Sequence, residues 1–310
     1  MDTVVRDGAG GVPGSGESGR PAVRVAGRRV RYSGRFSVDA IPVRHPGQWV
    51  LAVVILLIAV FLAIEVYKNP NLDHPTFVQF LASPAVLEGL LVTVELTIIA
   101  SVAAIAIGVV LAVMQLSKNP VLKAASWLYV WAFRATPLLV LLLVLGNFGL
   151  FFKYLGIGVP FTDIWLFRFE TNDVLTGFVA SILALALHEG AYMAEIIRGG
   201  ILAIEGGQGE AARALGMPGR LVMRRIVLPQ AMRVIIPPVG NQVIGLMKAS
   251  SLVSVIAGGD LLTVTQNIYA QNYRVMELLF VATFWYFVLV TITSIGQHFI
   301  ERNLARKQVL

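Results

Sequence analysis

Long apolar runs constrain the fold of this chain more than any other feature of its sequence. A helix needs about 20 apolar residues to cross the hydrocarbon core of a membrane. Apolar runs separated by polar segments lie at 49–67, 86–114, 173–197, 234–257 and 278–300, and a further run begins after Arg134. With 56% hydrophobic and only 14% charged residues, the chain is too apolar for a soluble domain. We therefore predict an all-α, polytopic membrane protein with about six transmembrane helices.

These runs divide the chain into four segments. Residues 1–47 are rich in Gly, Ser and Arg, which predicts a disordered cytoplasmic tail. Residues 48–85 hold an additional amino-terminal span and an outer loop, 86–301 form the main transmembrane domain, and 302–310 form a second cytoplasmic tail. We expect the arginines of the first tail to hold it against an anionic inner leaflet rather than against nucleic acid. Its arginines are Arg6, Arg20, Arg24, Arg28, Arg29, Arg31, Arg35 and Arg44.

Residues 118–172 carry weaker signals. Lys118 to Trp131 mixes charged and aromatic residues, which is typical of an interfacial segment. The third span is predicted to begin after Arg134 and to hold Pro137 in its first turn, where proline is tolerated. Gly146 to Asn172 carries charges of both signs and is predicted to be a loop.

The basic residues indicate an orientation. If the amino terminus is cytoplasmic, nineteen Lys and Arg residues lie inside and four lie outside: Lys68, Lys153, Arg168 and Arg274. This excess agrees with the tendency of Lys and Arg to remain in cytoplasmic loops. We therefore expect both termini, and the polar segment at 208–229, to be cytoplasmic.

The polar segment at 208–229 is an island between two apolar runs. Glu210, Ala211 and Ala212 begin a predicted short helix, and Gly216 is expected to close it in the left-handed conformation. A second helix is predicted from Arg220 to Leu228, ended by Pro229. Two adjacent alanines are expected to keep one face of the first helix thin enough to enter a groove.

This island resembles the EAA motif of ABC importer permeases. The matching positions are Glu210, Ala211, Ala212, Gly216, Ile226, Leu228 and Pro229. The resemblance to the polar amino-acid uptake group of these permeases extends to FRATPLLV at 133–140, GAYMAEIIRGGI at 190–201 and LMKASSLVSVI at 246–256. That group usually has five spans, so residues 1–85 form an extension. An amphipathic helix lying on the membrane is the alternative interpretation of the island alone.

The resemblance implies a function and partners. The protein is expected to be the permease subunit of an ATP-driven importer of polar amino acids, with the island as the coupling helix. Implied partners are two ATPase subunits, a second identical or sibling permease subunit, an extracytoplasmic solute-binding protein and membrane lipid, without nucleic acid. An importer of another small polar solute is the first alternative, and an ion-coupled secondary transporter is the second.

Polar residues inside the apolar runs are candidates for the translocation path. Lys248 lies within the fifth run, where an ammonium group is costly without a partner. Asn241, Gly245 and Lys248 share one helical face, with Ser251 near its edge. We expect this stripe to line the path, with Lys248 meeting a substrate carboxylate or an internal gate carboxylate. A structural ion pair at the interface of two permease subunits is an equally favoured interpretation.

Acidic residues in the other runs are the remaining candidates. Glu189 and Glu95 are expected near the middle of the membrane, where either carboxylate has Lys248 or a substrate amino group as its possible partner. Glu195 and Arg198 are one turn apart, which predicts a structural ion pair beside the island.

Several site classes are missing from the sequence. The chain contains no cysteine, no phosphate-binding loop of the form GxxxxGK[ST] and no zinc-like cluster. We therefore expect no metal, no cofactor and no ATPase site of its own.

A membrane-anchored scaffold that acts through its basic tail is a further alternative to the importer function.

Overall fold

The computed structural model of this protein describes residues 24–25, 28–29, 46–70, 72–158 and 165–306. These residues fall in two units, Met1–Glu65 and Val66–Leu310, and each unit is described by itself.

The first unit contains little described structure before its helix. Strands β1 (Arg24–Val25) and β2 (Arg28–Arg29) pair antiparallel. Helix α1 (Pro46–Tyr67) begins in this unit, has 22 residues and includes the predicted first span. Most of the predicted tail at 1–47 lies outside the described residues, as do the last four residues of the predicted tail at 302–310.

The second unit alternates long helices with short ones. The long helices are α3 (Pro84–Leu116), α7 (Gly177–Ile204), α10 (Leu228–Ala249) and α12 (Val275–Arg306). The short helices are α2 (His74–Leu81), α4 (Pro120–Ala135), α5 (Leu138–Gly146), α6 (Thr171–Val174), α8 (Glu210–Ala214), α9 (Gly219–Val222) and α11 (Leu261–Asn272). In the described part of the chain, five helices are long and apolar enough to cross a membrane, and a bent pair makes a sixth span. The prediction of about six spans in an all-α protein is confirmed.

Helices α3 and α7 form the centre of the second unit because small residues let them approach closely. A Cβ added at Gly108 of α3 would lie 2.5 Å from the Met193 Cβ and 3.0 Å from the backbone of Ala194. In the other direction, a Cβ at Gly190 of α7 would lie 2.6 Å from Ile107. Small residues at a helix contact favour association inside a membrane, where the hydrophobic effect between helices is weak.

A buried polar junction joins α3 to the α11–α12 pair. Asp260 is fully buried and caps α11 by accepting hydrogen bonds from the backbone N–H groups of Leu262 and Thr263. Its removal from water raises the pKa of the Asp260 carboxyl above the usual value. The Tyr286 hydroxyl of α12 lies 3.4 Å from Asp260 Oδ2, and the Leu261 N–H donates to Thr93 Oγ1 of α3 at 2.9 Å.

The third span is not the single helix that was expected after Arg134. The chain turns by 97° between α4 and α5. Pro137 is the N-cap of α5 rather than part of its first turn. With nine residues, α5 is only about 14 Å long and cannot cross the membrane alone. Only together are α4 and α5 long enough to cross, as a broken span or as a re-entrant loop, and α4 includes most of the segment that was expected to lie at the interface.

The predicted loop from Gly146 to Asn172 contains a β-hairpin. Strands β3 (Tyr154–Gly158) and β4 (Trp165–Glu170) pair antiparallel, with Leu155 opposite Phe169 and Ile157 opposite Phe167. The sequence analysis missed the alternation of apolar residues in β4, because the charges of both signs in this segment indicated a loop.

Pro229 does not end the second helix of the polar island, so that prediction is wrong. The helical path continues from Gly219 to Ile256 as one span of 38 residues. A π-helical turn (Met223–Val227) precedes α10, and Pro229 occupies its first turn. Proline is tolerated in the first turn of an α-helix, so Pro229 does not stop the helical path here.

We predict that Gly108→Ala weakens the α3–α7 contact. The added methyl group meets Met193 and the adjacent backbone, so the helices must separate, at a cost of about 1–3 kcal/mol in the free energy of unfolding. Thermal unfolding of the purified protein in mild detergent measures this change. Gly199→Ala is the matched control, because a Cβ at Gly199 meets no atom within 4 Å. Equal melting temperatures for the two variants would contradict the packing argument.

Candidate coupling loop and transmembrane path

The polar island folds as a compact loop between α7 and α10. A π-helical turn (Glu205–Gly209) leads from α7 into α8, and Glu210 lies in the first turn of α8, where the helix dipole favours a negative charge. Gly216 has a φ of +83°, so it adopts the left-handed conformation predicted for it. The N–H groups of Gly216 and Met217 donate to Arg213 and Ala212 carbonyl oxygens, which completes a Schellman motif.

An apolar cluster fixes the loop to the ends of three spans. Ala212 is only 4% exposed and packs in this cluster. The other buried members come from α3, α7, α9, the second π-helical turn and α10: Ala112, Ile197, Ile201, Val222, Val227, Ala231 and Ile235. The loop is therefore part of the packed protein rather than a loosely attached segment.

The exposed face of α8 differs from the expected one. Of the two adjacent alanines, only Ala211 is exposed, because Ala212 packs inward. The sequence interpretation also missed Leu215, whose side chain is 84% exposed. Leu215 directly precedes Gly216, which ends α8. This position could have indicated the exposure of Leu215, because an apolar residue at a helix end has little of its own helix to pack against. Glu210, Ala211, Ala214 and Leu215 are exposed, and we call this candidate docking surface the coupling face.

A buried hydrogen bond joins the two spans that flank the loop. Gln242 Nε2 of α10 donates to Glu189 Oε2 of α7 at 2.6 Å, and Glu189 is only 5% exposed. The ring nitrogen His188 Nδ1 lies 3.6 Å from Glu189 Oε1, beyond hydrogen-bonding distance. Toward the loop, α7 and α10 meet at Gly200, where an added Cβ would lie 2.3 Å from the Ile235 side chain. Both contacts hold together the two spans that flank the loop, the Glu189–Gln242 bond near the middle of the spans and the Gly200–Ile235 contact closer to the loop.

The polar stripe of α10 lies on a free face. Asn241 and Lys248 are exposed, and a Cβ at Gly245 would meet no atom within 4 Å. Asn241 Oδ1 accepts a hydrogen bond from Gln297 Nε2 of α12 at 3.0 Å. The Ser251 hydroxyl donates to the Lys248 carbonyl oxygen at 2.8 Å. Asn241 and Lys248 are thus exposed on this side of α10, with Asn241 hydrogen-bonded to α12, and Ser251 is half-buried just beyond the end of α10.

The structure does not bring every acidic candidate to this stripe. Glu189 is bonded to Gln242 rather than to Lys248. Glu95 is exposed, whereas its neighbour Leu96 packs in the core with α7 and α10. Among the described residues, neither Glu95 nor Lys248 has an ion-pair partner within the chain.

A cavity of about 680 Å³ lies where α3, α4 and α7 approach the loop. Glu195 and Arg198 line it and form an ion pair with Arg198 Nη2 2.8 Å from Glu195 Oε2, as expected from their spacing. Arg134 lies over the Tyr192 ring at 5.3 Å, and Lys123 also lines the space. Three cations around one carboxylate give the cavity a net positive charge.

Fold and loop together define a polytopic membrane protein whose polar loop is packed against three of its spans. A family profile described as binding-protein-dependent transport system inner membrane component matches residues 104–306. An arginine transport system permease protein, ArgU of Corynebacterium glutamicum, is 37% identical over 270 residues, which cover 87% of this chain and 84% of ArgU. A second arginine transport system permease protein, ArtQ of Bacillus subtilis, is 36% identical to this chain, and the match covers 98% of ArtQ.

A solved structure shows the same fold. A crystal structure of an amino acid ABC transporter with histidines has a TM-score of 0.64 and 34% sequence identity, and the match covers 75% of this chain and 99% of that chain. The chain therefore belongs to the family of binding-protein-dependent transport system inner membrane components. It is a multi-pass membrane protein of the permease type found in amino-acid ABC transporters.

We predict that the Glu189–Gln242 hydrogen bond stabilises the folded protein, because it gives the buried Glu189 carboxylate a donor. In Gln242→Leu, a buried carboxylate loses its donor, which costs about 1–3 kcal/mol of the free energy of unfolding, or more if it stays charged. Glu189→Gln retains an acceptor and serves as the control with a small effect. Adding Glu189→Leu to Gln242→Leu is expected to restore part of the loss, because no unpaired polar group remains. Additive losses in thermal unfolding of the double variant would contradict this coupling.

Proposed function

We propose that this chain is the permease subunit of an ATP-driven ABC importer of polar amino acids, coupled to a separate ATPase through the loop at 208–229. The observation that carries the proposal is the coupling face on α8, presented by a loop that is packed against spans on both of its sides. Family membership and relatives named as arginine, glutamine and cystine permeases support the substrate class.

The ATPase docks on the coupling face. Leu215 is the apolar centre of that face, and Ala211 and Ala214 leave room for the walls of a cleft. Ala212, which sequence alone placed on the docking side, instead anchors α8 to the spans. Two ATPase subunits serve two permease subunits, which are identical or siblings. The chain has no phosphate-binding loop of its own, so its energy comes from these ATPases.

The flanking spans carry the motion of the ATPases into the membrane. When ATP closes the ATPases, the coupling loop moves, and α7 and α10 follow because Glu189–Gln242 and Gly200–Ile235 hold them together. The path then faces outward and receives the amino acid from an extracytoplasmic solute-binding protein. After hydrolysis it opens inward.

The stripe of α10 lines the path. Asn241, Lys248 and Ser251 lie along the open face, and the Lys248 ammonium is suited to a substrate carboxylate or to a gate carboxylate of the second permease subunit. Glu95 and Glu189 remain secondary candidates, and the Glu189 carboxylate already has Gln242 as a partner. Glu195 and Arg198 brace the inner end of α7.

The orientation of the chain in the membrane and its division into segments follow from its assignment as a permease subunit. The loop at 208–229 and both termini are cytoplasmic in agreement with the excess of Lys and Arg on that side. Residues 86–301 form the permease domain, 48–85 add one span and an outer loop, the basic tail at 1–47 contacts the inner leaflet, and 302–310 form a second cytoplasmic tail.

We predict that Leu215→Asp uncouples the permease from its ATPase. Loss of an apolar anchor worth about 2 kcal/mol, together with a buried charge, lowers co-purification of the ATPase more than about tenfold. ATP-driven uptake of arginine or glutamine into proteoliposomes containing the solute-binding protein falls in parallel. Leu215→Met conserves the volume and is the control. Unchanged co-purification and uptake would contradict docking on this face.

We predict that Lys248→Met lowers uptake without preventing assembly. The substitution keeps the length of the side chain and removes the ammonium group that meets a carboxylate in the path. Uptake and ATPase co-purification are measured on the same preparation, with Lys118→Met as the control at an exposed lysine outside the path. Wild-type uptake by the assembled Lys248→Met complex would remove Lys248 from the path.

The energy source separates this function from ion-coupled transport. We expect uptake to require ATP and the ATPase and to persist when ion gradients are collapsed. Gradient-driven uptake by a variant that lacks the coupling loop would instead favour a secondary transporter.

A further inference from the structure

The β3–β4 hairpin is amphipathic. Residues directly opposite each other in an antiparallel pair project from the same face of the sheet. Leu155 is opposite Phe169 and Ile157 is opposite Phe167, so these four apolar side chains share one face, which we call the apolar face. Ile157, Phe167 and Phe169 are 60%, 46% and 56% exposed, respectively. Leu155 is half-buried, so three of the four side chains of the apolar face are largely uncovered by the described chain.

The opposite face is polar and charged. Tyr154 is opposite Glu170, and Gly156 is opposite Arg168. The Arg168 guanidinium lies 4.6 Å from the centre of the Tyr154 ring, and the Lys153 ammonium lies 5.2 Å from it. Two cations therefore cluster at the base of the hairpin on this face. Near the tip the pairing is irregular, so Trp165 and Leu166 do not follow the alternation of apolar and polar faces.

The hairpin is attached to the rest of the unit mainly at its base. The Thr171 N–H donates to the Lys153 carbonyl oxygen at 3.0 Å, and the Thr171 hydroxyl donates to the Phe152 carbonyl oxygen. A two-stranded hairpin is marginally stable without a further surface to pack against. Such a surface must therefore cover the apolar face.

Exposed apolar residues are frequent along the chain from α5 to the hairpin. In α5, Val140 and Val144 are each 47% exposed. Between α5 and the hairpin, Leu150, Phe151 and Phe152 are 84%, 77% and 56% exposed. Aromatic side chains with nearby cations are typical of the boundary between headgroups and acyl chains. The hairpin lies on the opposite side of the membrane from the coupling loop, because the 28-residue span α7 separates them.

We propose that the hairpin lies on this membrane surface, with its apolar face inserted at the boundary between headgroups and acyl chains. The cations of the polar face lie among the lipid phosphates and water. A solute-binding protein that docks only during delivery would leave three large exposed apolar side chains in water for the remaining time, at about 25 cal/mol for each Å². Lipid is present permanently beside α5 and matches both faces.

Adjacent positions on opposite faces allow a matched test. The chain has no cysteine, so Phe167→Cys and Arg168→Cys each introduce a single site for a nitroxide label. The permease is assembled with its ATPase in nanodiscs of phosphatidylethanolamine and phosphatidylglycerol, without solute-binding protein. Collision of the label with oxygen, which concentrates in lipid, and with a water-soluble nickel chelate is measured by electron paramagnetic resonance. Ile157→Cys repeats the measurement on the apolar face if the label at Phe167 disturbs folding.

We expect the ratio of oxygen to nickel collisions to be high at positions 167 and 157 and inverted at position 168. Equal access of the nickel chelate to positions 167 and 168 would overturn the proposal, because the apolar face would then be in water. Exclusion of both reagents at positions 167 and 157 would also overturn it and would indicate cover by the second permease subunit. Either result leaves the proposed transport function intact, since uptake is measured separately.

Discussion

The bond between Glu189 and Gln242 is the contact on which the transport account depends. The chain leaves the membrane at the end of α7, forms the coupling loop and returns in α10. The apolar cluster joins the loop to the ends of both spans, and the Glu189–Gln242 bond makes their membrane parts follow as a unit. A buried carboxylate without a donor is costly, which makes this hydrogen bond difficult to open inside the membrane. The close approach at Gly200 restrains the same pair nearer to the loop.

The remaining spans provide the frame for that pair. Close packing of α3 on α7 through Gly108 and Gly190 fixes one side of α7, and α3 also contributes Ala112 to the cluster beneath the loop. The opposite face of α10 stays open, with Asn241, Gly245 and Lys248 along it. A span with one packed face and one open polar face is suited to line a path between two subunits.

Sequence reasoning succeeded where the signal was local and failed where it depended on distant residues. Apolar length predicted the spans, and the left-handed Gly216 followed from its position after an alanine-rich helix. The inward packing of Ala212 depends on the ends of three spans, and Gln242 is 53 residues from Glu189, so neither contact has a local signature. At Pro229 and Pro137, proline fixed the local geometry without indicating whether the helix would continue or bend.

The most direct test of this account is whether the coupling loop and the membrane part of α7 move as one body. Nitroxide labels at Arg220, which lies in the loop outside the docking face, and at Leu183, both exposed, allow their separation to be measured by pulsed electron resonance in the assembled transporter, with and without ATP. The account predicts one distance distribution that nucleotide does not shift, although ATP changes the distance between the loops of the two permease subunits. A shift of the distance between positions 220 and 183 on ATP binding, in a complex that still transports, would contradict it.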